Sequence, residues 1–210
     1  MASKTKDLIS DGAHLPVVEE FFSLQGEGFH TGKAAYFIRL GGCDIGCSWC
    51  DSRFSWNSDL HPMVDTKAIV SRVIDSGADS VVVTGGEPLM WTLDLLCKGL
   101  KNKNICTFME TSGAYPLSGT WDWICLSPKK IMPPTTEICK VADELKVIIQ
   151  DNSDFEWAEK YSKMVSDGCR LYLQPEWSRF DMIIPEIVNY IKKNPMWRIS
   201  LQVHKYMHIP

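Results

Sequence analysis

Short apolar runs alternate with helix-like stretches along most of the chain, and this alternation constrains the fold more than any other feature. Runs with the length and composition of strands occupy residues 34–40, 80–84, 104–110, 122–126, 143–149, 170–174 and 197–203. Stretches with apolar residues three and four positions apart, typical of helices, occupy 66–76, 91–101, 153–166 and 180–193. Helix-capping residue types stand near three of their starts, at Asp65, Ser153 and Asp181. The alternation predicts a mostly parallel α/β sheet, open or curled into a partial barrel, with its site at the carboxyl ends of the strands.

Length and composition favour one domain. The chain has 210 residues, and no internal repeat, low-complexity tract or linker divides it. We therefore expect a single domain over residues 1–210, with residues 1–15 as a flexible tail.

Charge and hydropathy exclude two classes of partner. The net charge is -4 at pH 7, and the basic residues are scattered, so we expect no nucleic-acid partner. No apolar run approaches the roughly 20 residues that a membrane span needs, and the first fifteen residues lack the apolar core of a signal peptide. These features predict a cytoplasmic protein with no membrane partner.

The strongest chemical signal is a group of three cysteines directly after the run AAYFIRL. Cys43, Cys47 and Cys50 are separated by three and then two residues, within the segment GGCDIGCSWCDS. Three closely spaced thiolates can hold one face of an iron–sulfur cube, and glycines in the loop let the backbone approach the sulfides. An electron-transfer [4Fe-4S] centre takes four cysteines, so three leave one iron open to another ligand.

Zinc is the alternative occupant of this loop. Structural zinc takes four ligands, and no nearby Cys or His completes a usual finger pattern. The remaining cysteines stand singly in apolar surroundings and are interpreted as small buried hydrophobic residues: Cys97, Cys106, Cys125, Cys139 and Cys169.

The cysteine spacing, with Trp49 before the last cysteine, resembles that of the radical S-adenosylmethionine (SAM) superfamily. The run SVVVT leads into Gly85-Gly86-Glu87-Pro88, which resembles the GGEP motif at the end of the second barrel strand of that superfamily. Taken alone, this motif is equally a strand-ending turn. The resemblance implies a partial barrel, with a [4Fe-4S] cluster whose open iron binds SAM.

Further segments resemble the 7-carboxy-7-deazaguanine synthase (QueE) family. They are FFSLQGEGFHTGKAAYFIRLGGC, CDSRF, Glu110-Thr111-Ser112-Gly113, Ser127-Pro128-Lys129, Glu144-Leu145-Lys146, Gln174-Pro175 and the ending LQVHKYMHIP. This resemblance implies a carbon–nitrogen lyase of queuosine and 7-deazapurine biosynthesis. A 5'-deoxyadenosyl radical from SAM abstracts hydrogen from C6 of 6-carboxy-5,6,7,8-tetrahydropterin. The ring then contracts to 7-carboxy-7-deazaguanine, ammonia is lost and SAM is regenerated.

The resemblance also implies a set of substrate contacts: Leu24, Gln25, Gly26, Glu27, Arg39, Thr84, His204 and Pro210. Gly26-Glu27-Gly28 is otherwise an ordinary polar turn. Arg39 stands near the end of an apolar strand that we expect to be covered on both faces, so its guanidinium needs an anion. The resemblance assigns the substrate carboxylate to it, and a structural carboxylate is the alternative. The family arrangement places the chain-end carboxylate of Pro210 on the pterin, whereas tails usually fray.

A second implied set contacts SAM: Trp49, Cys50, Asp51, Gly86, Glu87, Glu110, Ser127, Pro128, Lys129, Gln174, Pro175, Glu176 and Trp177. Glu110 and Lys146 are equally explained as charged residues at solvated strand ends. Asp51-Ser52 stands where the family more often has Asp-Thr, and the hydroxyl of Ser52 is the implied Mg²⁺ ligand. A capping role for Ser52 is the alternative.

The sequence leaves two other functions open. Another small radical SAM enzyme, such as a glycyl-radical activase, explains the cluster but not LQGEG or the HIP ending. A non-catalytic iron–sulfur or zinc module explains the cysteines but not GGEP. The family further implies an electron donor such as flavodoxin or ferredoxin, and a homodimer.

Overall fold

One sheet organises the computed structural model, which describes residues 11–210. Its strands are β1 (His14–Leu24), β2 (Ala34–Leu40), β3 (Met63–Asp65), β4 (Ser80–Gly85), β5 (Cys106–Thr111), β6 (Trp123–Leu126), β7 (Glu144–Ile149), β8 (Arg170–Pro175) and β9 (Trp197–Ile199). The order is β3-β1-β2-β4-β5-β6-β7-β8-β9. β1 runs antiparallel to β2 and β3, and neighbouring strands from β2 to β9 are parallel. The predicted mostly parallel sheet is confirmed, and its unclosed strand order agrees with the predicted partial barrel.

Helices follow β3, β4, β6, β7, β8 and β9, so most of the parallel strands belong to β/α units. They are α1 (Thr66–Asp75), α2 (Asp94–Lys101), α3 (Thr136–Val141), α4 (Ser153–Ser162), α5 (Phe180–Lys193) and α6 (Val203–Met207). Apolar side chains at helical spacing, such as Ile69 and Val73 of α1 and Leu96 and Leu100 of α2, are fully buried in the main core. Within residues 11–210, the helices are too short or too polar to cross a membrane.

The two faces of the sheet carry different side chains. Because successive strand residues point to opposite faces, Ile38 of β2 and Val83 of β4 enter the main core. Phe37 and Val82 lie in a second apolar cluster on the other face. The sheet therefore offers a second face on which a site can be built.

Two sequence predictions about elements are corrected, and one long strand was missed. The predicted tail of residues 1–15 is too long, because His14 and Leu15 belong to β1 and Leu15 is fully buried; residues 1–10 lie outside the described part. The strand predicted over 197–203 ends at Ile199, and α6 begins at Val203. β1 was not predicted, since Pro16 and two glutamates interrupt its apolar pattern.

Smaller corrections concern single residues. Cys106 is exposed rather than buried, because it opens β5 at its amino end. Ser153 is the first residue of α4 and follows the N-cap Asn152. Asp65 is the N-cap of α1, as predicted, and its carboxylate accepts a hydrogen bond from the Lys67 backbone N–H at 2.7 Å.

We predict that Asp65→Ala destabilises the protein by about 1 kcal/mol, because the first turn of α1 loses its capping acceptor. Chemical denaturation measures the free energy of unfolding. Asp65→Ser keeps a capping oxygen and should recover most of that loss. Equal stability of the Ala and Ser variants would contradict the capping role.

Candidate active site

A cavity of about 270 Å³ opens at the carboxyl ends of the parallel strands. It brings together nearly the whole predicted site: Leu24, Gln25, Gly26, Glu27, Arg39, Cys43, Cys47, Trp49, Cys50, Asp51, Ser52, Thr84, Gly86, Glu87, Glu110, Ser127, Lys129, Gln174, Pro175, Glu176, Trp177, His204 and Pro210. Pro128 does not line it. That residue is buried, and its carbonyl oxygen faces the Trp157 indole N–H at 3.4 Å.

The cysteine loop is held against the loop after β4 by backbone contacts. The Glu87 N–H donates to the carbonyl of Gly42 at 2.8 Å, and a Cβ on Gly86 would lie 2.2 Å from that same oxygen. Gly42 itself has a φ of +105°, a conformation that favours glycine. The cysteine loop and the GGEP segment are thus held together through their backbones. Residue 86 must be glycine, because a side chain there would collide with the Gly42 carbonyl.

Three thiols that line one cavity are the donor set that a [4Fe-4S] cluster with one open iron requires. Cys43, Cys47 and Cys50 line the same cavity, and burial raises the pKa of the Cys43 and Cys47 thiols. Within residues 11–210, no three His, Cys, Asp or Glu side chains are placed to hold one metal ion. Thiolates of an iron–sulfur cube bind separate iron atoms, so they stand farther apart than the ligands of one ion.

Glu87 lines the cavity, and its carboxylate makes its hydrogen bonds inside the protein. It is 1% exposed and accepts hydrogen bonds from the Leu89 and Ser112 backbone N–H groups at 3.0 and 2.8 Å. The hydroxyls of Thr111 and Ser112 also donate to it. Glu87 therefore fixes the end of β5 beside the cysteine loop, and its neighbour Gly86 presents the backbone to the cavity.

A buried ammonium group organises the opposite wall. Lys146 of β7 is 3% exposed and forms ion pairs with Glu27 and, at 3.6 Å, with Glu110 of β5. Burial by itself raises the pKa of Glu27. The charge and hydrogen bond of Lys146 and a hydrogen bond from Gln202 outweigh that effect and lower the pKa to about 2. Glu27 is therefore anionic at neutral pH.

The amide of Gln25 joins the same network. Its NH₂ group donates to Glu110 at 2.9 Å, and its oxygen accepts from the Glu27 backbone N–H at 3.0 Å. Gln25 is buried, whereas Leu24 is partly exposed. Both charged residues that the sequence left ambiguous, Glu110 and Lys146, are thus part of the site and not solvated strand ends.

The segment after β9 closes the cavity. Gln202 donates to Glu27 at 2.8 Å and to Asp51 at 3.2 Å, and Lys205 donates to Asp51 at 3.0 Å. A Cβ on Gly26 would lie 2.2 Å from a ring nitrogen of His204, so glycine lets the two segments meet. Gln202 was missed at the sequence level, although it stands in the LQVHK segment two residues before His204.

Arg39 forms an ion pair with a carboxylate of the protein, which is the alternative to the substrate carboxylate that the sequence left open. A β-bulge between Val17 and Glu19 sets Glu19 opposite Arg39, and the Arg39 Nε donates to Glu19 at 2.6 Å. The Arg39 side chain is 22% exposed, so its guanidinium is only partly covered. The contact uses Nε, and Arg39 also lines the cavity beside Thr84, its register partner on β4.

The other residues predicted to contact SAM or magnesium differ in the contacts that they make within the protein. Lys129 donates to Ser127 and lies 5.3 Å from the Trp49 ring centre. Glu176 caps the short 3₁₀ helix that starts at Trp177, which occupies its carboxylate. Ser52 occupies an N-cap position without a side-chain capping hydrogen bond, so its capping alternative is not supported by this geometry.

Comparison with known proteins finds no matching family model. The 7-carboxy-7-deazaguanine synthase of Flavobacterium psychrophilum is 52% identical over 202 residues, with 96% of each chain covered. That of Synechocystis is 47% identical over 194 residues, with 92% of this chain and 93% of the relative covered. The crystal structure of QueE from Escherichia coli matches with a TM-score of 0.79 at 28% identity, covering 96% of this chain and 99% of that one.

The open parallel sheet, with a three-cysteine loop facing its carboxyl edge, defines an α/β enzyme of the radical SAM class. Similarity to the named synthases over almost the whole chain identifies one family within that class. The chain belongs to the 7-carboxy-7-deazaguanine synthase family.

We predict that Lys146→Met lowers the free energy of unfolding by about 3–5 kcal/mol, because Glu27 and Glu110 lose the ammonium group between them. Chemical denaturation measures the change. In the double variant Glu27→Gln/Lys146→Met the total loss should be smaller than the sum of the two single losses. Additive losses would show that the two side chains do not interact.

Proposed function

We propose that the chain is a 7-carboxy-7-deazaguanine synthase, which contracts the ring of 6-carboxy-5,6,7,8-tetrahydropterin with loss of ammonia. One observation carries this proposal: a single cavity joins the three thiols of the cysteine loop to the buried network of Gln25, Glu27, Glu110 and Lys146. Identity to named synthases over almost the whole chain supports the same reaction. Neither a glycyl-radical activase nor a non-catalytic module is favoured.

Cys43, Cys47 and Cys50 are the proposed ligands of a [4Fe-4S] cluster. When bound, the cluster and SAM supply the radical chemistry of this enzyme class. The protein contributes the setting: the loop glycines let backbone approach the cluster, and Gly86 keeps the neighbouring wall free of a side chain. SAM binding is proposed for the Trp49–Asp51 and Ser127–Lys129 segments and for Gln174–Trp177, with Glu87 in a supporting role.

The substrate is proposed to lie between Arg39 and the carboxylate network. A pterin presents amino and ring N–H donors, and the anionic Glu27 and the carboxyl oxygens of Glu110 can accept hydrogen bonds from them. Arg39 offers its terminal nitrogens to the substrate carboxylate while Nε stays on Glu19. Held in this way, the reacting carbon is positioned and water is kept from it. Thr84, His204 and Pro210 complete the proposed contacts on the cavity wall.

Magnesium and the partners belong to the proposal as well. Ser52 lines the cavity, and its hydroxyl oxygen is the proposed protein ligand of a Mg²⁺ ion that substrate and water share. The cytoplasmic location, the homodimer, the single domain and a flavodoxin or ferredoxin donor rest on the family resemblance and the composition of the chain.

We predict that the anaerobically reconstituted protein, incubated with SAM, a reductant and 6-carboxytetrahydropterin, forms 7-carboxy-7-deazaguanine. Mass analysis of the products checks this. Ala at Cys43, Cys47 or Cys50 should abolish product and the roughly 400 nm iron–sulfur absorbance. Cys97→Ala is the matched control, because Cys97 is buried on helix α2 and does not line the cavity. SAM cleavage without a deazaguanine product would contradict the proposed substrate.

We predict that Arg39→Lys lowers kcat/KM about tenfold or more while cluster content stays near wild type, because lysine keeps the charge but loses the fork. Steady-state kinetics and iron content measure the two properties. Glu19→Gln weakens only the structural partner and serves as the control. If Arg39→Lys reduces soluble, folded protein but leaves the kinetics of the folded fraction unchanged, Arg39 acts solely in the ion pair.

A further inference from the structure

A second, much smaller cavity lies behind the substrate cavity. Its volume is about 10 Å³, near the minimum that accommodates one water molecule. Gln25, Glu27 and Glu110 line both cavities and therefore form the partition between them. The small cavity is thus separated from the substrate by the side chains proposed to bind it.

Two buried polar atoms of residues lining this small cavity have no hydrogen-bond partner among the described residues. They are Oε1 of Glu144 and Nε2 of His30. Glu144 is 3% exposed, so an unpaired carboxyl oxygen there carries a substantial desolvation cost. A single water molecule fits the volume and can both donate and accept, so it can satisfy both atoms.

The protonation states suit this arrangement. Burial raises the pKa of Glu144 and lowers the pKa of His30, so both side chains tend toward their neutral forms. A neutral carboxyl group donates one hydrogen bond, and a neutral imidazole can accept one. The small cavity therefore offers one water molecule two polar atoms, Oε1 of Glu144 and Nε2 of His30.

The second carboxyl oxygen of Glu144 contacts residues 25–30, the substrate segment, directly. Oε2 accepts from the Phe29 backbone N–H and from the Trp123 indole, each at 3.1 Å. Oε1 lies beneath Gly28, where an added Cβ would be only 2.0 Å away. Glu144 therefore supports the turn that follows Gln25 and Glu27.

We propose that the small cavity is a binding site for one water molecule, and that Glu144 is a positioning residue which, with this water and His30, holds residues 25–30 against the substrate. The inference rests on the proposed function of the larger cavity. Glu144 does not line that larger cavity, so it acts through Gln25 and Glu27 and not by touching the substrate.

The test uses the cluster-loaded protein and three variants. Glu144→Leu removes both hydrogen bonds and the water ligand, whereas Glu144→Gln keeps an acceptor for Phe29 and a donor for the water. His30→Phe keeps the ring stacked on Phe108, whose ring centre is 4.3 Å away, but removes the nitrogen. Glu159→Leu is the matched control, because Glu159 likewise accepts from an indole, that of Trp197 at 2.9 Å, far from both cavities.

We expect Glu144→Leu and His30→Phe to raise the KM for 6-carboxytetrahydropterin about five- to tenfold, with kcat, cluster content and SAM binding little changed. Glu144→Gln should stay within about twofold of wild type, and Glu159→Leu should leave KM unchanged. Hydrogen exchange of the Phe29 amide should accelerate in Glu144→Leu, and a high-resolution crystal structure of the wild type should show the water.

Wild-type KM in His30→Phe, or no water density between Glu144 and His30, would overturn the proposal, even if Glu144→Leu fails to fold. Equal KM changes in Glu144→Leu and Glu144→Gln would also overturn it, because the Gln variant keeps the hydrogen bonds. Absence of product from the wild-type enzyme would instead refute the proposed function, whereas the water density and the amide exchange are measured without substrate.

Discussion

The buried ammonium of Lys146 is the interaction on which the arrangement of the site depends. A charge that is taken out of water needs a partner of opposite sign, and Lys146 has two, Glu27 and Glu110. These carboxylates come from the segment after β1 and from the end of β5, which lie far apart in sequence. Burying the lysine therefore brings the amino-terminal segment onto the middle of the sheet. The same pairing keeps Glu27 anionic, as an acceptor for donors that enter the cavity.

Strand alternation explains how one face of the sheet carries both an apolar floor and a polar site. Residues two positions apart on a strand share a face, so Phe37 and Arg39 point the same way, as do Val82 and Thr84, and Phe108 and Glu110. Along each strand the apolar residue comes first and the polar residue stands nearer the carboxyl end.

β7 departs from that pattern, because Glu144 precedes Lys146 on the same face. A carboxyl group is thereby buried two residues before the ammonium, and it lines the small cavity together with Phe108 and Trp123. A buried carboxyl group is unfavourable unless its oxygens have hydrogen-bond partners. The Phe29 amide and the Trp123 indole are partners of one oxygen of Glu144.

The sequence predicted the sheet class and most of the cavity lining, because strand periodicity and short motifs are local properties. It could not predict which partner a side chain takes. Glu87 stands in a recognisable motif, but apart from the nearby Leu89 N–H the groups that donate to its carboxylate lie 24 and 25 residues later, on Thr111 and Ser112. Arg39 faces Glu19 only because a bulge in β1 shifts the register, and nothing in the local pattern shows that bulge.

The chain's last helix shows why partner choice matters for the whole site. A single amide group, the NH₂ of Gln202, donates both to Glu27 on the substrate side and to Asp51 beside the last cysteine. Lys205, one turn later, donates to the same Asp51 oxygen. Because both contacts come from the segment that leads into α6, docking of this helix orders the substrate segment and the cysteine loop together. Residues 202–205 therefore connect the substrate side of the cavity to the cysteine side. Neither the LQGEG segment nor the cysteine motif shows this connection by itself.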